Sequence, residues 1–336
     1  MERFMWPESR GGSREAGAGC GRAALPRILH ALVLLLSACA RTERPRNLLL
    51  VTLDTTRADR LGAYGGSPDV SPTFDALARD GALFERAYAP VPFTLPSHAT
   101  LLTGLEPPRH GARLNGRILP EDVTTLAQRL SVAGFATGAV IGSSVLDAPA
   151  GLSRGFDSYD APSIHARGEE SRTAEEVARR ALAWLAALPS GKRFFLWVHF
   201  FDPHDPYAPP PPWDARFPGR AYEGEIACAD AGIGRLLRAL RESRRLAETL
   251  VCVAADHGES LGEHGEPTHG LFLYESTVRV PLLLHHPATV PAVRVGGVAR
   301  LADVAPTLLE LLGLPSLEDA DGRSLAQFLR AGRIDP

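Results

Sequence analysis

The chain is 336 residues long and 45% hydrophobic, with 39 acidic against 36 basic side chains and a formal net charge of −3. That is enough apolar material for one large core or two modest ones. The near balance of charge supplies no basic field, which excludes nucleic acid as an expected partner, because a phosphate backbone calls for clustered Lys and Arg.

Residues 1–21 are rich in Gly, Ser and Arg without periodicity. LPRILHALVLLLSACA follows, with Arg22 and Arg27 ahead of an apolar stretch from Ala31 to Leu36 and small residues at its exit, the layout of a secretory signal. The stretch is shorter than the roughly 20 residues that span a bilayer. Its end, Leu36-Ser37-Ala38-Cys39, resembles a bacterial lipobox with Cys39 as the lipidated first residue; an apolar leader with an incidental cysteine is the other reading. The expectation is an exported lipoprotein anchored in the bacterial cell envelope and facing the periplasm or outside. Residues 1–39 are then the leader, 40–46 a linker, 47–330 one catalytic domain and 331–336 a tail. If Cys20 leaves with the leader and Cys39 carries lipid, Cys228 and Cys252 remain. Both read as buried small hydrophobes, with a disulfide between them left open.

Downstream, apolar runs alternate with amphipathic stretches. Leu48–Leu53 reads as a strand, PTFDALARD as a helix and the segment after it as extended, and Thr100–Leu102 as the apolar face behind a Pro96-Ser97-His98 turn. A helix through Leu126 and Leu130 stops at Gly134, and a strand covers Phe135–Ile141. Glu170–Leu188 reads as a helix, Phe194–Phe200 as a strand, Tyr222–Leu246 as a helix, Leu250–Ala255 and Val280–His285 as strands, and LADVAPTLLELLGL as a last helix. Strands separated by helices of this length imply a mostly parallel sheet covered by helices.

Two of these strands end in acids, Asp54 and Asp256-His257, at the carboxyl ends where open α/β sheets bind ligands. With Thr94 in the segment between them, they read as one metal site with a hydroxyl nucleophile; capping of the following helices is the alternative for each Asp.

From about Asn47 to Leu329 the blocks NLLLVTLDTTRADRLGAYG, TLPSHATLLTG, HFFDPHDPYAPP, YEGEIACADAGIGRLL, ADHGESLGEHG, LYESTVRVPLLLHHP and DVAPTLLELLGLPSLEDADGRSL resemble, in that order, the sulfatase family of the alkaline-phosphatase-like superfamily. The resemblance implies a three-layer α/β/α sandwich with a mostly parallel central sheet. It also implies a sheet-end metal site that activates a covalent nucleophile attacking sulfur or phosphorus.

The chain departs from that family at the nucleophile. Sulfatases place Cys, less often Ser, two residues before the Pro of C-x-P-S-R and oxidise it to formylglycine, whereas here the segment is Thr94-Leu95-Pro96-Ser97-His98. Threonine's extra methyl blocks conversion to the same aldehyde, so formylglycine is not expected and an ordinary hydroxyl is left to attack. Helix N-capping by Thr94 or Ser97 is the other reading. A threonine nucleophile resembles the phosphoethanolamine transferases and phosphodiesterases of the superfamily. That resemblance implies Asp54, Thr94, Asp256 and His257 as metal ligands and aligns the pair His199 and His204, and then His269, with histidines of those enzymes. Thr55 in place of a second Asp, and His257 in place of Asn, favour Zn or Mn over Ca.

His204 and His269 are expected to be catalytic. Arg57, His98, Arg113, Asn115 and His199 are expected to bind the anionic ester, although Arg57 could equally pair with Asp59 and the loop of Arg113 and Asn115 could simply face solvent. His264 also lies in a matching block. The expected reaction is metal-dependent hydrolysis of a sulfuric or phosphoric ester through Thr94. Phosphoryl-group transfer to an alcohol and a catalytically inactive surface lipoprotein are the alternatives.

Overall fold

The computed structural model describes residues 44–164 and 170–334; the expected leader and Cys39 lie outside them. One sheet contains β1 (Asn47–Leu53), β2 (Ala82–Tyr88), β3 (Ala136–Ile141), β4 (Ser158–Asp160), β5 (Phe194–Phe200), β6 (Thr249–Ala255), β7 (Arg279–Val280), β8 (Leu282–His285) and β9 (Val293–Arg300). Its order is β4-β3-β5-β1-β6-β8-β2-β7, with β9 joined to β2. The five strands from β4 to β6 run parallel, and β8 is antiparallel to both β6 and β2.

The central strands NLLLVTL, FFLWVHF and TLVCVAA are buried at every position. They read as continuous apolar runs because both faces of the sheet are covered. One cover packs α1 (Pro72–Asp80), α4 (Ala174–Ala187) and α5 (Ala221–Glu242) together; the other groups α2 (Thr94–Thr103), α3 (Leu126–Val132) and α6 (Val304–Leu311). The result is the expected three-layer α/β/α sandwich. No helix among the described residues is long and apolar enough to cross a membrane.

Several boundaries move for local reasons. Helix α4 begins at Ala174 rather than Glu170 because Thr173 accepts the Glu176 N–H as N-cap. Helix α5 ends at Glu242, short of Leu246, and Arg244 just beyond it adopts a left-handed φ of 58°. The apolar run from Val280 to His285 breaks at Pro281, which cannot donate to a ladder. The expected Pro96-Ser97-His98 turn is instead the first turn of α2. Strand β9 reads poorly in sequence because Gly296-Gly297 sits at its centre. The expected linker and tail are partly docked: Arg46 N–H donates to the Glu248 carbonyl (2.9 Å) and Ile334 N–H to that of Gly296 (2.7 Å). Cys228 and Cys252 are both buried and free, with no disulfide between them.

Strand register brings the distant acids together. In the β1–β6 pair Leu53 faces Ala255, so Asp54 and Asp256, each one residue further on, emerge side by side. On the other flank of β1, Thr52 faces His199 of β5.

Candidate active site

Asp54, Asp256, His257, His199 and His98 are completely buried at the carboxyl ends of β1, β5 and β6. The first three can each offer one ligand atom within 4.8 Å of the others. His257 Nε2 lies 3.7 Å from Asp54 Oδ1 and 3.5 Å from Asp256 Oδ2, and His199 Nε2 lies 3.4 Å from Asp54 Oδ2. Such spacings exceed good hydrogen bonds. Both Asp54 oxygens, Asp256 Oδ2, His257 Nε2, Thr55 Oγ1 and both His199 nitrogens are buried without a hydrogen-bond partner.

Buried polar atoms without partners are costly, and a group of them converging on one point fits a divalent cation. The tautomer of His257 fits as well: its Nδ1–H donates to the Gly258 carbonyl (2.9 Å), leaving the Nε2 lone pair facing the carboxylates. Burial, then the adjacent Asp54 charge, push the Asp256 acid well above the usual carboxylate range. Burial would raise Asp54 too, but His199 and the charge of His257 hold it below that range. Two carboxylates thus compete for one proton, which a cation would replace.

A second grouping, His98, His199 and Asp256, also brings one ligand atom of each within 4.8 Å of the others but is a poor ligand set. His98 Nδ1–H donates to the Thr94 carbonyl (2.7 Å) and Nε2 accepts from Thr52 Oγ1 (3.0 Å). Thr52 Oγ1 in turn accepts the Trp197 indole N–H (2.9 Å). Both ring nitrogens are therefore engaged and the ring is held neutral, its pKa lowered by burial and then by His199 to about 3. His98, expected to contact substrate, instead lies beneath the site and fixes the first turn of α2.

That turn carries Thr94, which is 2% exposed. The N-cap position belongs to Phe93 and has no side-chain cap, so Thr94 is the first helical residue and not a cap. Pro96 is tolerated in the first turn, where no intrahelical N–H is needed. Asn115 caps this turn from another loop, its Oδ1 accepting the Leu95 N–H (2.9 Å). Ser97 Oγ donates to the Val91 carbonyl (2.8 Å). Thr55 adopts a left-handed φ of 45°, unusual for a β-branched residue. Its N–H donates to Asp256 Oδ1 (3.2 Å) and its carbonyl accepts the Tyr222 hydroxyl (2.6 Å).

On the open side stand His204 and His269, ring centroids 5.4 Å apart, with His269 4.5 Å from His257. His204 Nδ1–H donates to the Asp205 carbonyl (2.7 Å) and its ring stacks on Phe201 (4.4 Å). His269 Nδ1 lies 3.4 Å from Glu259 Oε2, which also accepts the Tyr207 hydroxyl (2.8 Å). Burial alone would lower the His269 pKa, but the bond and charge of Glu259 carry it above its ordinary value.

Three expected substrate contacts are corrected. Arg57 has its guanidinium held by Asp59 (2.7 Å) and Glu263 (2.9 Å), so it braces the 57–59 and 259–263 loops. His98 is wholly buried with both ring nitrogens engaged, whereas His199, equally buried, keeps both nitrogens without a partner and faces Asp54. Asn115 gives its oxygen to Leu95. Arg113 remains exposed, one guanidinium nitrogen donating to the Pro108 carbonyl (3.3 Å). His264 stacks on Tyr274 (3.9 Å), away from the cluster. Sequence reasoning missed Thr52, Trp197, Tyr207, Tyr222 and Glu259. The available signal was a hydroxyl and an indole inside wholly apolar strands, since buried polar atoms must find partners. Concavities of about 460 Å³ beside Trp213, about 480 Å³ beside Leu185 and about 650 Å³ beside Arg294 are lined by none of the cluster residues.

The family model Sulfatase matches residues 46–314. The chain is 27% identical over 407 residues to the steryl-sulfatase of Mus musculus, covering 85% of this chain and 65% of that protein. It is 24% identical to the arylsulfatase of Clostridium perfringens, covering 84% and 78%. Among solved structures, the phosphonate monoester hydrolase of Agrobacterium radiobacter superimposes with a TM-score of 0.76 at 23% identity, over 87% of this chain and 78% of that one. A protein in complex with its substrate D-glucosamine-2-N,6-O-disulfate superimposes with a TM-score of 0.75 at 20% identity, over 87% and 81%. Sulfatases use formylglycine, so the expected exclusion of that group is not borne out by these relatives.

Proposed function

Because this chain belongs to the sulfatase family, we propose that it hydrolyses esters of sulfuric acid, with phosphoric and phosphonic esters as related substrates, by covalent catalysis at Thr94. The observation that carries the proposal is the set of partnerless buried atoms on Asp54, Asp256 and His257, with Asp256 Oδ2 3.6 Å from the same His98 Nδ1 that donates to the Thr94 carbonyl. The names of its relatives, a steryl-sulfatase, an arylsulfatase and a phosphonate monoester hydrolase, support the same range of substrates.

Asp54, Asp256 and His257, with the Thr94 hydroxyl, would hold a divalent cation, and two carboxylates with one imidazole favour Zn or Mn over Ca. Such a cation supplies Lewis acidity toward an ester oxygen and acidifies a bound hydroxyl. Thr94 Oγ1, whose proton would pass to solvent beforehand and which leaves deprotonated again in the second step, forms the new bond to sulfur or phosphorus as the bond to the leaving oxygen breaks. His269, whose pKa Glu259 raises, gives its Nε2 proton to that oxygen. In the second step water displaces Thr94 Oγ1. His204, whose Nδ1–H is engaged by the Asp205 carbonyl, accepts the water's proton at Nε2. His98 and Asn115 hold the first turn of α2, so that the hydroxyl need not be reorganised during reaction.

The test is to purify the protein, measure its metal, and assay matched aryl sulfate, phosphate monoester, phosphodiester and phosphonate esters with and without an acceptor alcohol. Thr94→Ala should abolish turnover, Thr94→Ser should retain part of it, and chelation should remove activity that Zn or Mn restores. Full turnover by Thr94→Ala, or a modified residue found at position 94 by mass spectrometry, would overturn the threonine mechanism. Product formed only with the alcohol would make the protein a transferase. The export reading belongs to the same proposal: Cys39→Ala should release the protein from the envelope fraction.

A further inference from the structure

We infer that the mouth of the Thr94 site binds an apolar alcohol portion of the ester, an alkyl chain or fused-ring group, in preference to a sugar. This inference rests on the reading of Thr94 as the centre of an ester-cleaving site. Eight large hydrophobic side chains are exposed among the described residues. Scattered singly they would need no explanation. Five of them, however, fall on two short segments: Leu114 (48% exposed) and Ile118 (66%) on one, Leu271 (77%), Phe272 (47%) and Leu273 (66%) on the other.

Each segment lies against a residue flanking Thr94. The first is tied through Asn115 Oδ1, which accepts the Leu95 N–H at 2.9 Å. The second begins at Gly270, where a Cβ would come within 3.3 Å of the Phe93 ring, at a φ of +112°. Both segments that carry these apolar side chains therefore border the helix turn that carries the nucleophile. The second segment also follows directly on His269, the proposed acid.

The exposure is built in. Leu271 N–H donates to the buried Glu266 carboxylate (2.7 Å) and the Phe272 carbonyl accepts the Thr277 hydroxyl (2.8 Å), so this backbone is anchored while its side chains face outward. The charged groups within residues 113–118 and 270–273 are Arg113 and Arg117, with no carboxylate on either segment. Two cations beside apolar side chains suit a ligand with an anionic head and an apolar body. A sugar would instead call for several polar partners.

The test uses the whole protein and a series of 4-alkylphenyl sulfates and phosphates, methyl to octyl, whose leaving-group acidity is nearly constant. Burial of a methylene raises kcat/KM up to about fourfold; in a half-open mouth the expected rise is roughly twofold per methylene, mostly through KM. Leu271→Ser combined with Phe272→Ser should at least halve that slope. Alkylphosphonates of the same chain lengths, titrated onto Thr94→Ala by calorimetry, should bind with a parallel slope whether or not turnover is detected. Turnover with a flat slope, or faster cleavage of a glucose 6-ester than of the octyl compound, would overturn the inference and leave the catalytic reading intact. No turnover together with a chain-length slope in binding would sink the catalytic reading and support the apolar mouth. A flat slope accompanied by sedimentation with phosphatidylcholine vesicles would assign the patch to a membrane surface. A flat slope with dimers abolished by the double variant would assign it to a second copy of the chain. Either of these last two results also overturns the inference.

Discussion

Asp54 and Asp230 are the same residue type at nearly the same depth, 0% and 4% exposed, yet they live in opposite circumstances. Asp230, on α5, gives both oxygens to the N–H groups of Phe74 (2.8 Å) and Thr73 (2.9 Å) at the start of α1. Asp54, past the end of β1, gives its oxygens to no donor. Burial pushes the Asp230 acid up to about 6 even with the backbone bonds it accepts, whereas the imidazoles beside Asp54 outweigh its burial and hold it down. Burial alone therefore does not separate a structural carboxylate from a chemical one; the fate of its lone pairs does.

The largest expected effect would break or secure this contrast. Asp54→Asn should lower kcat/KM by at least roughly 10²- to 10³-fold and remove tightly bound metal, while leaving the melting temperature in metal-free buffer nearly unchanged, because its oxygens accept no hydrogen bond that would be lost. Asp230→Ala should behave the other way, costing about 1–3 kcal/mol of stability with activity per folded molecule preserved. A fall in both quantities for both variants, measured by calorimetry and initial rates, would erase the distinction.

A smaller effect concerns Glu259. The His269 pKa stands above its ordinary value because Glu259 outweighs burial. If His269 must be protonated to act, activity falls as pH rises through that pKa. Glu259→Gln should move the alkaline fall to lower pH and reduce the maximum by about 10- to 100-fold. An unmoved alkaline limb would remove His269 from the role of acid.

The smallest effect tests an intermediate case. Glu225 has one oxygen on the Ala208 N–H (2.7 Å) and the other without a partner, and burial, followed by the charge of Asp202, pushes its acid up to about 7. A raised folded pKa contributes stability that is fully present below the unfolded pKa and lost as pH rises through the folded one. Glu225→Gln should therefore raise the melting temperature by a few degrees at pH 8 and leave it nearly unchanged at pH 4.5, checked by thermal scans at both values.

The sheet centre was largely legible because β1, β5 and β6 are doubly covered and advertise themselves as unbroken apolar runs ending in Asp54, His199 and Asp256. Parallel order followed from the intervening helices, but the antiparallel seat of β8 did not, since apolar runs carry no direction. Strand β9 was hidden by its paired glycines. At the site, residue type located Thr94, Asp54, Asp256 and His257 but could not distinguish a ring that faces substrate from one that lies beneath it. His98 was read as a substrate contact because it stands where the family's signature Arg stands. Its burial depends on Thr52 and Trp197, which come from two other strands. For Arg57 the pairing with Asp59, the alternative to substrate contact, is the one found, while its second partner Glu263 lies on a distant loop that residue type could not bring near.

The pairing of β1 also bears on how the protein is made. Leu48 takes its two neighbours from Phe195 and Leu250, contacts of high sequence separation that form slowly because loop closure must precede them. At ribosomal speeds of about 5–20 residues per second, a finished β1 waits roughly 10–40 seconds for β6 to be synthesised. Until β5 is made this apolar strand has both edges unpaired, and until β6 follows one edge stays open, a form prone to aggregation, while Asp54 has no counterpart with which to capture a cation. The active centre is thus a late product of folding, assembled only when the two halves of the chain meet.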